Sequence, residues 1–343
     1  MVRIAIDMMG GDLGVPANVS GVRRYVLDGG CPDVSFDLFG NIAPIESAIA
    51  KFSDFPTSCC EIHNTGERMI SSEERPSVAI KKSGGTSMFE AISHVGLNRA
   101  DAVVSSGNTG AFMALSKIII GMISNINRPA LISIIPNSKG RSVMLDLGAN
   151  TECSSLQLTQ FAAMGAAVAK VLLDITDPSI ALLNIGTERS KGTEILDAAY
   201  KILEENVNLN FIGFIEGTDI TKGTSDVIVT DGFSGNISLK TMEGTIRYLL
   251  HLAKEEVGKS LLCKIGCLFC RRMLISIKNS IDPRRHNGAP LVGLKKIAVK
   301  SHGGSDSIGV ANAISTAVTL AKSNFITNIN DTLTSLETGK GTV

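Results

Sequence analysis

The feature that most constrains the fold is the order in which apolar and polar segments repeat along the chain. Short runs rich in Val, Ile and Leu recur, and each is followed by a cluster of Gly, Asn, Ser or Asp and then by a longer stretch with helical periodicity. Strands that are almost continuously apolar are typical of parallel sheets covered by helices on both faces. The sequence therefore predicts a doubly wound, mostly parallel α/β fold.

Six strand–helix units are clear, and they set the expected domain organisation. The predicted strands and following helices are 3–7 with 16–27, 102–105 with 111–120, 143–147 with 155–173, 180–185 with 194–205, 227–230 with 237–256, and 297–299 with 308–323. We expect a single α/β catalytic domain over residues 1–323, interrupted by a helix-rich insertion at about 237–291. Residues 324–343 are rich in Thr, Asn and Gly, which predicts a partly ordered C-terminal tail.

The charge balance argues against nucleic acid as a partner, because 33 basic residues are matched by 33 acidic ones. The distribution is uneven, however. From Lys259 to Lys300 there are ten Lys or Arg residues and one acid, Asp282, so this segment carries +9 and the rest of the chain −9. A basic segment of this kind predicts contact with an anionic membrane surface or an acidic protein.

The sequence predicts a cytoplasmic protein with reduced thiols. The chain begins like a strand, with no sign of a secretory leader, and uncharged stretches such as 153–169 are too short and too polar to span a bilayer. Seven cysteines without a secretory signal favour free thiols over a disulfide framework. Cys263, Cys267 and Cys270 lack a partner pair or His, so we expect buried or membrane-facing thiols there and no metal site.

Similar polar clusters follow all six predicted strands, where ligands bind in open parallel sheets. The clusters are Asp7–Asp12, Ser105–Gly110, Asp146–Asn150, Asn184–Glu188, Asp231–Asn236 and Ser301–Asp306. One such cluster is explained by turn formation and helix capping. Six of them, several with paired glycines, favour an oxyanion ligand, because glycine lets backbone N–H groups approach an anion near a helix N-terminus.

The common signatures for nucleotides and for hydrolytic nucleophiles are missing. The chain has no G-x-x-x-x-G-K-[ST] loop, no G-x-G-x-x-G after a strand, and no G-x-S-x-G. The expected anion is therefore not a nucleotide, and we expect no cofactor.

The polar clusters belong to longer strings by which the chain resembles the bacterial acyl carrier protein:phosphate acyltransferase family. The strings are Ile6–Asp12, Ser105–Ala111, Leu145–Asn150, Leu183–Gly186, Asp231–Asn236 with Lys240, Asp282–Leu291 and Val299–Gly303. The resemblance implies transfer of a fatty acyl group from an acyl carrier protein thioester to inorganic phosphate, and a core similar to isocitrate and isopropylmalate dehydrogenases and to phosphotransacetylases. It also implies a homodimer attached peripherally to the inner face of the membrane. Its acyl phosphate would pass to a membrane-embedded glycerol-3-phosphate acyltransferase for phospholipid synthesis.

If the chain catalyses that reaction, its rate enhancement should come mainly from positioning of the substrates and stabilisation of developing charge. Neither a covalent nucleophile nor a metal is needed. We expect a phosphate cradle made by Ser105, Gly107, Asn108 and Thr109, with Lys82 or Lys240 adding charge. The loop around Lys82 is less basic than is usual in the family. Glycines of the other clusters should also line the substrate site, namely Gly10, Gly11, Gly186, Gly232 and Gly303.

Amides and one histidine are the candidate donors to the thioester. Asn150, Asn184 and Asn236 could donate to the carbonyl oxygen or to pantetheine amides, or could merely cap helices. His302 stands at a predicted strand end among glycines, and we expect it to act as a general acid. A structural hydrogen-bonding role is the alternative for this histidine.

The charged residues near the strand ends have two interpretations each. Asp7, Asp146 and Asp231 could hold a metal, as in the related dehydrogenases, or could cap helices and fix neighbouring side chains. We favour the second interpretation, because a carboxylate free to face phosphate would repel it. Arg284 and Arg285 could clamp phosphate or the acidic carrier, or could form a plain surface pair.

Residues 257–281 combine apolar side chains with five basic residues and no acid. This pattern suits a helix or helical hairpin lying in an anionic interface, with Lys264, Leu268, Phe269, Arg271 and Arg272 as the contact residues. Docking of the carrier protein and contact with a second subunit remain alternatives. Two rival functions also stay open: a β-decarboxylating dehydrogenase and a non-catalytic membrane scaffold.

Overall fold

The computed structural model describes residues 1–30, 33–71 and 73–338, which form two β-sheets covered by helices. In chain order the strands are β1 Val2–Asp7, β2 Val34–Gly40, β3 Cys60–Asn64, β4 Ala102–Ser105, β5 Ala130–Leu131, β6 Ser133–Asn137, β7 Gly140–Leu145, β8 Ile180–Leu183, β9 Phe211–Ile215, β10 Val227–Val229, β11 Ala289–Val292 and β12 Ile297–Lys300.

The helices lie between these strands and after the last one. They are α1 Gly14–Leu27, α2 Ile42–Ile49, α3 Pro76–Lys81, α4 Ser87–Gly96, α5 Thr109–Ile119, α6 Ser155–Leu172, α7 Glu194–Glu204, α8 Gly217–Lys222, α9 Gly232–Lys259, α10 Leu261–Phe269, α11 Arg271–Ile281, α12 Ser307–Lys322 and α13 Phe325–Thr338. Short 3₁₀ turns occupy Thr57–Cys59 and Pro283–His286.

The first sheet has the strand order β3-β2-β1-β4-β12-β11-β5, and the second has the order β6-β7-β10-β8-β9. Pairing is parallel except where β11 meets β12 and β5, and where β6 meets β7. The predicted mostly parallel α/β class is confirmed. Because one residue, Ile132, separates β5 from β6, the chain crosses there from the first sheet to the second.

Helix α6 forms the centre of the molecule. It covers β7, β10 and β8 of the second sheet and packs against α12, which covers β1, β4 and β12 of the first. Small residues allow this close approach. A Cβ added at Gly165 would stand 2.5 Å from Cγ1 of Val227, so any larger side chain would push the helix off its sheet. The two sheets therefore share one packed core.

The six predicted strand–helix units are all present, within a few residues at their ends. The sequence analysis did not predict β2, although it is well buried. The apolar pattern of β2 is interrupted by Asp37, which lies inside the strand and is fully buried. Arg3 Nε donates to the Asp37 carboxylate at 2.8 Å from the neighbouring strand, so the charge is paired in a way that local sequence does not reveal.

The helix-rich excursion begins earlier than predicted. Helix α9 is 28 residues long and starts at Gly232, directly behind its N-cap Asp231, and the excursion ends before β11 begins at Ala289. Helices α10 and α11 follow it as a short hairpin. Many apolar side chains of this hairpin are exposed.

The predicted partly ordered tail over 324–343 contains helix α13 at Phe325–Thr338, which the sequence analysis did not predict. Phe325 and Ile329 are buried against α6, and Ile326 and Leu333 are partly buried on the same side. Thr and Asn are weak helix formers, so composition concealed this apolar stripe. The part of the prediction that falls on 339–343 lies outside the described residues.

Among the helices of the described ranges, none is both long and apolar enough to cross a bilayer.

Candidate active site

The carboxyl ends of three neighbouring strands place Asp7, Ser105 and Lys300 in one row. In the register of the first sheet, Asp7 lies opposite Ser105, and Ser105 lies opposite Lys300. The loops that follow these strands therefore begin at a common edge, where ligands bind in open parallel sheets.

The Asp7 carboxylate fixes the surroundings of this row. Its Oδ1 accepts hydrogen bonds from Ser87 Oγ at 2.6 Å and Gly10 N at 3.2 Å, and its Oδ2 accepts one from Ser105 Oγ at 2.6 Å. Burial raises the pKa of Asp7, while these donors favour the carboxylate. The residue thus joins the start of α4 to the loops after β1 and β4, which matches the interpretation that it fixes neighbouring side chains.

Glycines bring the three loops into direct contact. A Cβ added at Gly10 would stand 2.5 Å from Asp7 Oδ2 and 2.7 Å from Gly107 N, and Gly11 has φ +95°, which larger residues rarely adopt. Asp12 N donates to the carbonyl of Gly303 at 2.8 Å. A larger residue at position 10 would separate the first loop from the second.

Lys300 is a candidate site residue that the sequence analysis did not name. Only 5% of it is exposed, and its ammonium donates to the carbonyl of Ser301. Burial lowers the pKa of Lys300 to about 8, although the carboxylates of Asp7 and Asp12 favour the charged form. A lysine closing an otherwise apolar strand was the available signal, since a buried ammonium requires an anionic neighbour or ligand.

His302 carries its proton on the nitrogen that faces away from its own loop. Its Nδ1 accepts from Gly304 N at 3.1 Å, so the neutral ring is the Nε2–H tautomer. Burial and the charges of Lys240 and Lys300 lower the pKa of His302. The predicted general acid would need an imidazolium, whereas this environment favours a neutral ring that donates one hydrogen bond.

The strand ends of the second sheet hold a separate, internally bonded cluster. The buried Asp146 carboxylate accepts from the backbone N–H groups of Leu131, Ala149 and Asn150 and from Asn150 Nδ2. Asn150 Nδ2 also donates to the carbonyl of Pro129 at 2.8 Å. Both side chains are occupied in shaping the turn, so Asn150 is not free to act as the predicted donor to substrate.

Two other predicted site residues of this sheet also shape loops. Asn184 Nδ2 donates to the carbonyl of Lys191 at 2.7 Å and so closes the loop that contains Gly186. Asp231 accepts from Ser234 N at 2.8 Å as the N-cap of α9, and Gly232 packs against the carbonyl of Asn150. These side chains support the capping interpretation.

Asn108 is the N-cap of α5 and not an open donor. Its Oδ1 accepts from Ala111 N at 2.9 Å, and its Nδ2 donates to the carbonyls of Ser71 and Glu74 at 2.9 and 3.0 Å. The predicted cradle residue thus ties a distant segment to the start of α5. The helix itself begins at Thr109, so its partially positive N-terminus lies near the row of Asp7, Ser105 and Lys300.

The first turns of α9 lie between the two groups of strand ends. The exposed Asn236 lies over Gly148, with its Cβ 3.7 Å from the position of an added Cβ there. One turn later, Lys240 Nζ pairs with Glu243 Oε2 at 2.9 Å, and both charges act on the pKa of His302. Helix α9 therefore brings Asn236 beside a loop of the second sheet, and the charge of Lys240 acts on His302 of the first.

The remaining predicted cations are not gathered at this row. The Arg284 guanidinium is held by Asp282 at 2.6 Å and Asp306 at 2.8 Å, and it lowers the pKa of Asp282. Arg285 Nη2 donates to Asn279 Oδ1 at 3.3 Å. Lys82 is exposed at the end of α3. Arg284 is therefore paired with two carboxylates, while Arg285 bonds to Asn279. The two arginines do not form the expected clamp.

Within the described residues, one group could ligate a metal ion, and it lies away from the row. His63 Nε2 and His94 Nε2 stand 3.1 and 3.2 Å from the two oxygens of Asp37. Arg3 Nε donates to the same carboxylate. The group therefore includes an ion pair between Arg3 and Asp37 that joins β1 to β2.

Comparison with known proteins places the chain among lipid-synthesis enzymes. Residues 2–328 match the family described as fatty acid synthesis protein. The chain is 45% identical over 320 residues to the phosphate acyltransferase of Paramagnetospirillum magneticum, covering 93% of this chain and 90% of that protein. It is 40% identical over 345 residues to the phosphate acyltransferase of Rhodospirillum rubrum, covering 99% and 97%.

The solved structures with the same fold are more distant. A phosphotransacetylase from Streptococcus pyogenes superposes with a TM-score of 0.63 at 19% identity, covering 93% of this chain and 94% of the other. The EutD phosphotransacetylase from Staphylococcus aureus gives 0.58 at 16%, with the same coverage. These similarities confirm the fold class predicted from the strand–helix order.

Proposed function

The chain belongs to the fatty acid synthesis protein family and is a phosphate acyltransferase, and from that premise we propose that phosphate binds at the row of Asp7, Ser105 and Lys300. The acyl donor is proposed to be a fatty acyl thioester of acyl carrier protein. A phosphate oxygen attacks the thioester carbonyl, the carbon–sulfur bond breaks, and the products are acyl phosphate and the carrier thiolate.

The observation that carries this proposal is the buried ammonium of Lys300. It lies at a strand end, beside glycine-rich loops and near the N-terminus of α5, and all of these favour an anion. Ser87 and Ser105 donate hydrogen bonds to the oxygens of Asp7 and so disperse part of its negative charge. Lys300 thus supplies the positive charge that attracts and orients the nucleophile.

His302 is proposed to donate its Nε2–H to the thioester carbonyl oxygen, where negative charge develops during attack. A neutral donor suits this task. The leaving thiolate is stable enough to depart without a strong acid, since a free thiol has a pKa of about 8.5. Asn236 on α9 is the second proposed donor, because its exposed amide lies beside Gly148 in the loop that follows β7.

The α10–α11 hairpin is proposed to contact an anionic membrane. Leu268 and Phe269 at its tip are 70% and 85% exposed, and the basic residues Arg271 and Arg272 follow at once. Exposed apolar side chains next to cations are the pattern of an interfacial helix. Acyl phosphate would leave directly to a membrane-embedded glycerol-3-phosphate acyltransferase, and the acidic carrier would dock on the same positive surface.

A second subunit is proposed to cover part of α9. Its side chains Tyr248, Leu249 and Leu252 are exposed in one chain. A helix that exposes large apolar residues over several turns normally has a partner. A homodimer would remove these side chains from water.

The test of the function uses acyl phosphate formation from acyl carrier protein thioesters and phosphate. We expect Lys300→Gln to lower kcat/KM for phosphate by roughly 10²-fold or more, as removal of one charge-stabilising group does in other enzymes. Lys295→Gln is the matched control, because Lys295 is an exposed lysine five residues earlier. An unchanged phosphate dependence in Lys300→Gln would remove phosphate from this row.

The membrane contact is tested with anionic and neutral liposomes. We expect binding to anionic vesicles at low salt, release as ionic strength rises, and loss of binding in Leu268→Glu/Phe269→Glu with acyl transfer in solution retained. Val207→Glu serves as control, because Val207 is equally exposed between α7 and β9. Retained vesicle binding in the double variant would exclude the hairpin as the anchor.

A further inference from the structure

An apolar groove of 170 Å³ lies between α9 and the segment that joins α11 to the following 3₁₀ turn. Its walls are formed by three aliphatic side chains: Ile246 and Leu250 on α9, and Ile281 at the end of α11. Residues 246 and 250 are one turn apart and so share a helix face. The groove is therefore a continuous aliphatic strip.

The charged residues at the rim of the groove are paired with one another. Arg247 Nη2 donates to Glu243 Oε2 at 3.1 Å, and Arg284 is held by Asp282 at 2.6 Å. Neither pair leaves a net charge for a polar ligand to neutralise. The groove is thus built for an uncharged, apolar occupant.

One end of the groove lies next to the reaction site. Glu243, at the rim, also binds Lys240 at 2.9 Å, and both of these charges act on His302. Arg284, at the same rim, binds Asp306, which caps α12 four residues after His302. In the other direction α9 leads to the α10–α11 hairpin with its exposed apolar residues.

We propose that this groove binds the first part of the fatty acyl chain and sets the chain-length preference of the enzyme. This inference rests on the proposed function, because the occupant is the acyl group of that reaction. The volume accommodates roughly six methylene groups if each takes about the space of a water molecule. Each methylene that enters an apolar site should improve binding about fourfold. The rest of a long chain extends along α9 towards the hairpin.

The test is a series of acyl carrier protein thioesters from butyryl to palmitoyl, with kcat/KM measured for each. We expect kcat/KM of the native protein to rise with chain length until the groove is filled. Ile246→Trp should flatten this rise, with losses of roughly tenfold or more for long chains and little change for butyryl. Val207→Trp is the control, because Val207 is exposed between α7 and β9, outside α9 and outside the groove.

Failure of the inference and failure of the function give different results. If no thioester yields acyl phosphate with the native protein, the proposed function is wrong. If Ile246→Trp lowers kcat/KM equally for all chain lengths, or has no effect, the chain does not lie in the groove. A change from dimer to monomer, with a loss that does not depend on chain length, would show that a second copy covers it. Ile281→Phe, checked by thermal melting, repeats the test from the opposite wall.

Discussion

At the scale of single residues, we expect the buried Lys300 to make phosphate binding depend on pH. Its pKa is lowered to about 8, so the ammonium is charged below that pH and neutral above it. Inorganic phosphate is mainly a dianion around this pH, since its second pKa is about 7. We therefore predict that kcat/KM for phosphate falls as pH rises through about 8, because this parameter follows the free enzyme.

The variant Lys300→Arg tests the assignment, because arginine stays protonated throughout. If the fall in kcat/KM reflects Lys300, the variant should be slower but should lose its alkaline decline. A decline that persists unchanged in Lys300→Arg would assign it to another group.

His302 gives a second prediction at this scale. If its neutral ring donates one hydrogen bond, His302→Gln should retain activity within about tenfold, whereas His302→Ala should lose roughly 10²-fold. The glutamine amide can replace the Nε2–H donor but cannot act as a titrating acid. Equal losses in the two variants, with native activity rising as pH falls, would restore the general-acid role that the sequence suggested.

The sequence placed the strand-end residues better than it predicted their hydrogen-bond partners. Strand ends are recognisable because apolar runs stop there, which placed Asp7 and Ser105 correctly at one edge. Their hydrogen-bond partners are distant in the chain: Ser87 is 80 residues from Asp7, and Glu74 is 34 residues from Asn108. An amide near a strand end therefore looks like a substrate donor until its long-range partner is known.

At the scale of elements, α4 depends on the ion-pair cluster beneath it. His94, on α4, bonds Asp37 on β2 at 3.2 Å, next to His63 on β3 and Arg3 on β1. Burial lowers the pKa of His94 in the folded protein. A depressed folded pKa means that the native state binds fewer protons, so stability is present above the ordinary pKa of about 6.5 and is lost as pH falls below it.

We predict that His94→Gln reduces the dependence of unfolding free energy on pH between 5 and 8. Urea unfolding at several pH values measures this slope. His251→Gln is the control, because His251 is exposed on α9. An identical slope in native protein and His94→Gln would mean that α4 is not sensitive to this titration.

Elements were predictable where apolar periodicity was intact. All six strand–helix units follow this rule. Strand β2 was missed because the buried Asp37 interrupts its pattern, and α13 was missed because Thr and Asn surround its apolar stripe. In both cases tertiary contacts outweigh local preference: Arg3 pairs with Asp37, and α6 covers Phe325 and Ile329.

At the scale of the whole molecule, the division into two sheets could not be predicted from one sequence. Strand order depends on pairing between segments that are far apart in the chain. For example, β12 pairs in parallel with β4, and β11 pairs antiparallel with β12. The single-residue step between β5 and β6 has no distinctive composition. The division matters for function because it separates the row of Asp7, Ser105 and Lys300 from the internally bonded cluster around Asp146.

Helix α13 is expected to stabilise both sheets through α6. Because α6 packs on the second sheet and also on α12 of the first, a chain ending at Ser323 would expose the surface that Phe325 and Ile329 cover. Full burial of such a residue contributes about 1.5–3 kcal/mol, so these two together contribute about 3–6 kcal/mol as an upper estimate. We predict a large drop in the unfolding midpoint and one cooperative transition, because the two sheets share this core.

Circular dichroism and loss of acyl transfer should therefore report the same midpoint. Asp331→Ala is the control, because Asp331 is exposed on α13, and this variant should leave the midpoint unchanged. Two separate transitions in the shortened chain, or an undiminished midpoint, would show that α6 does not couple the sheets.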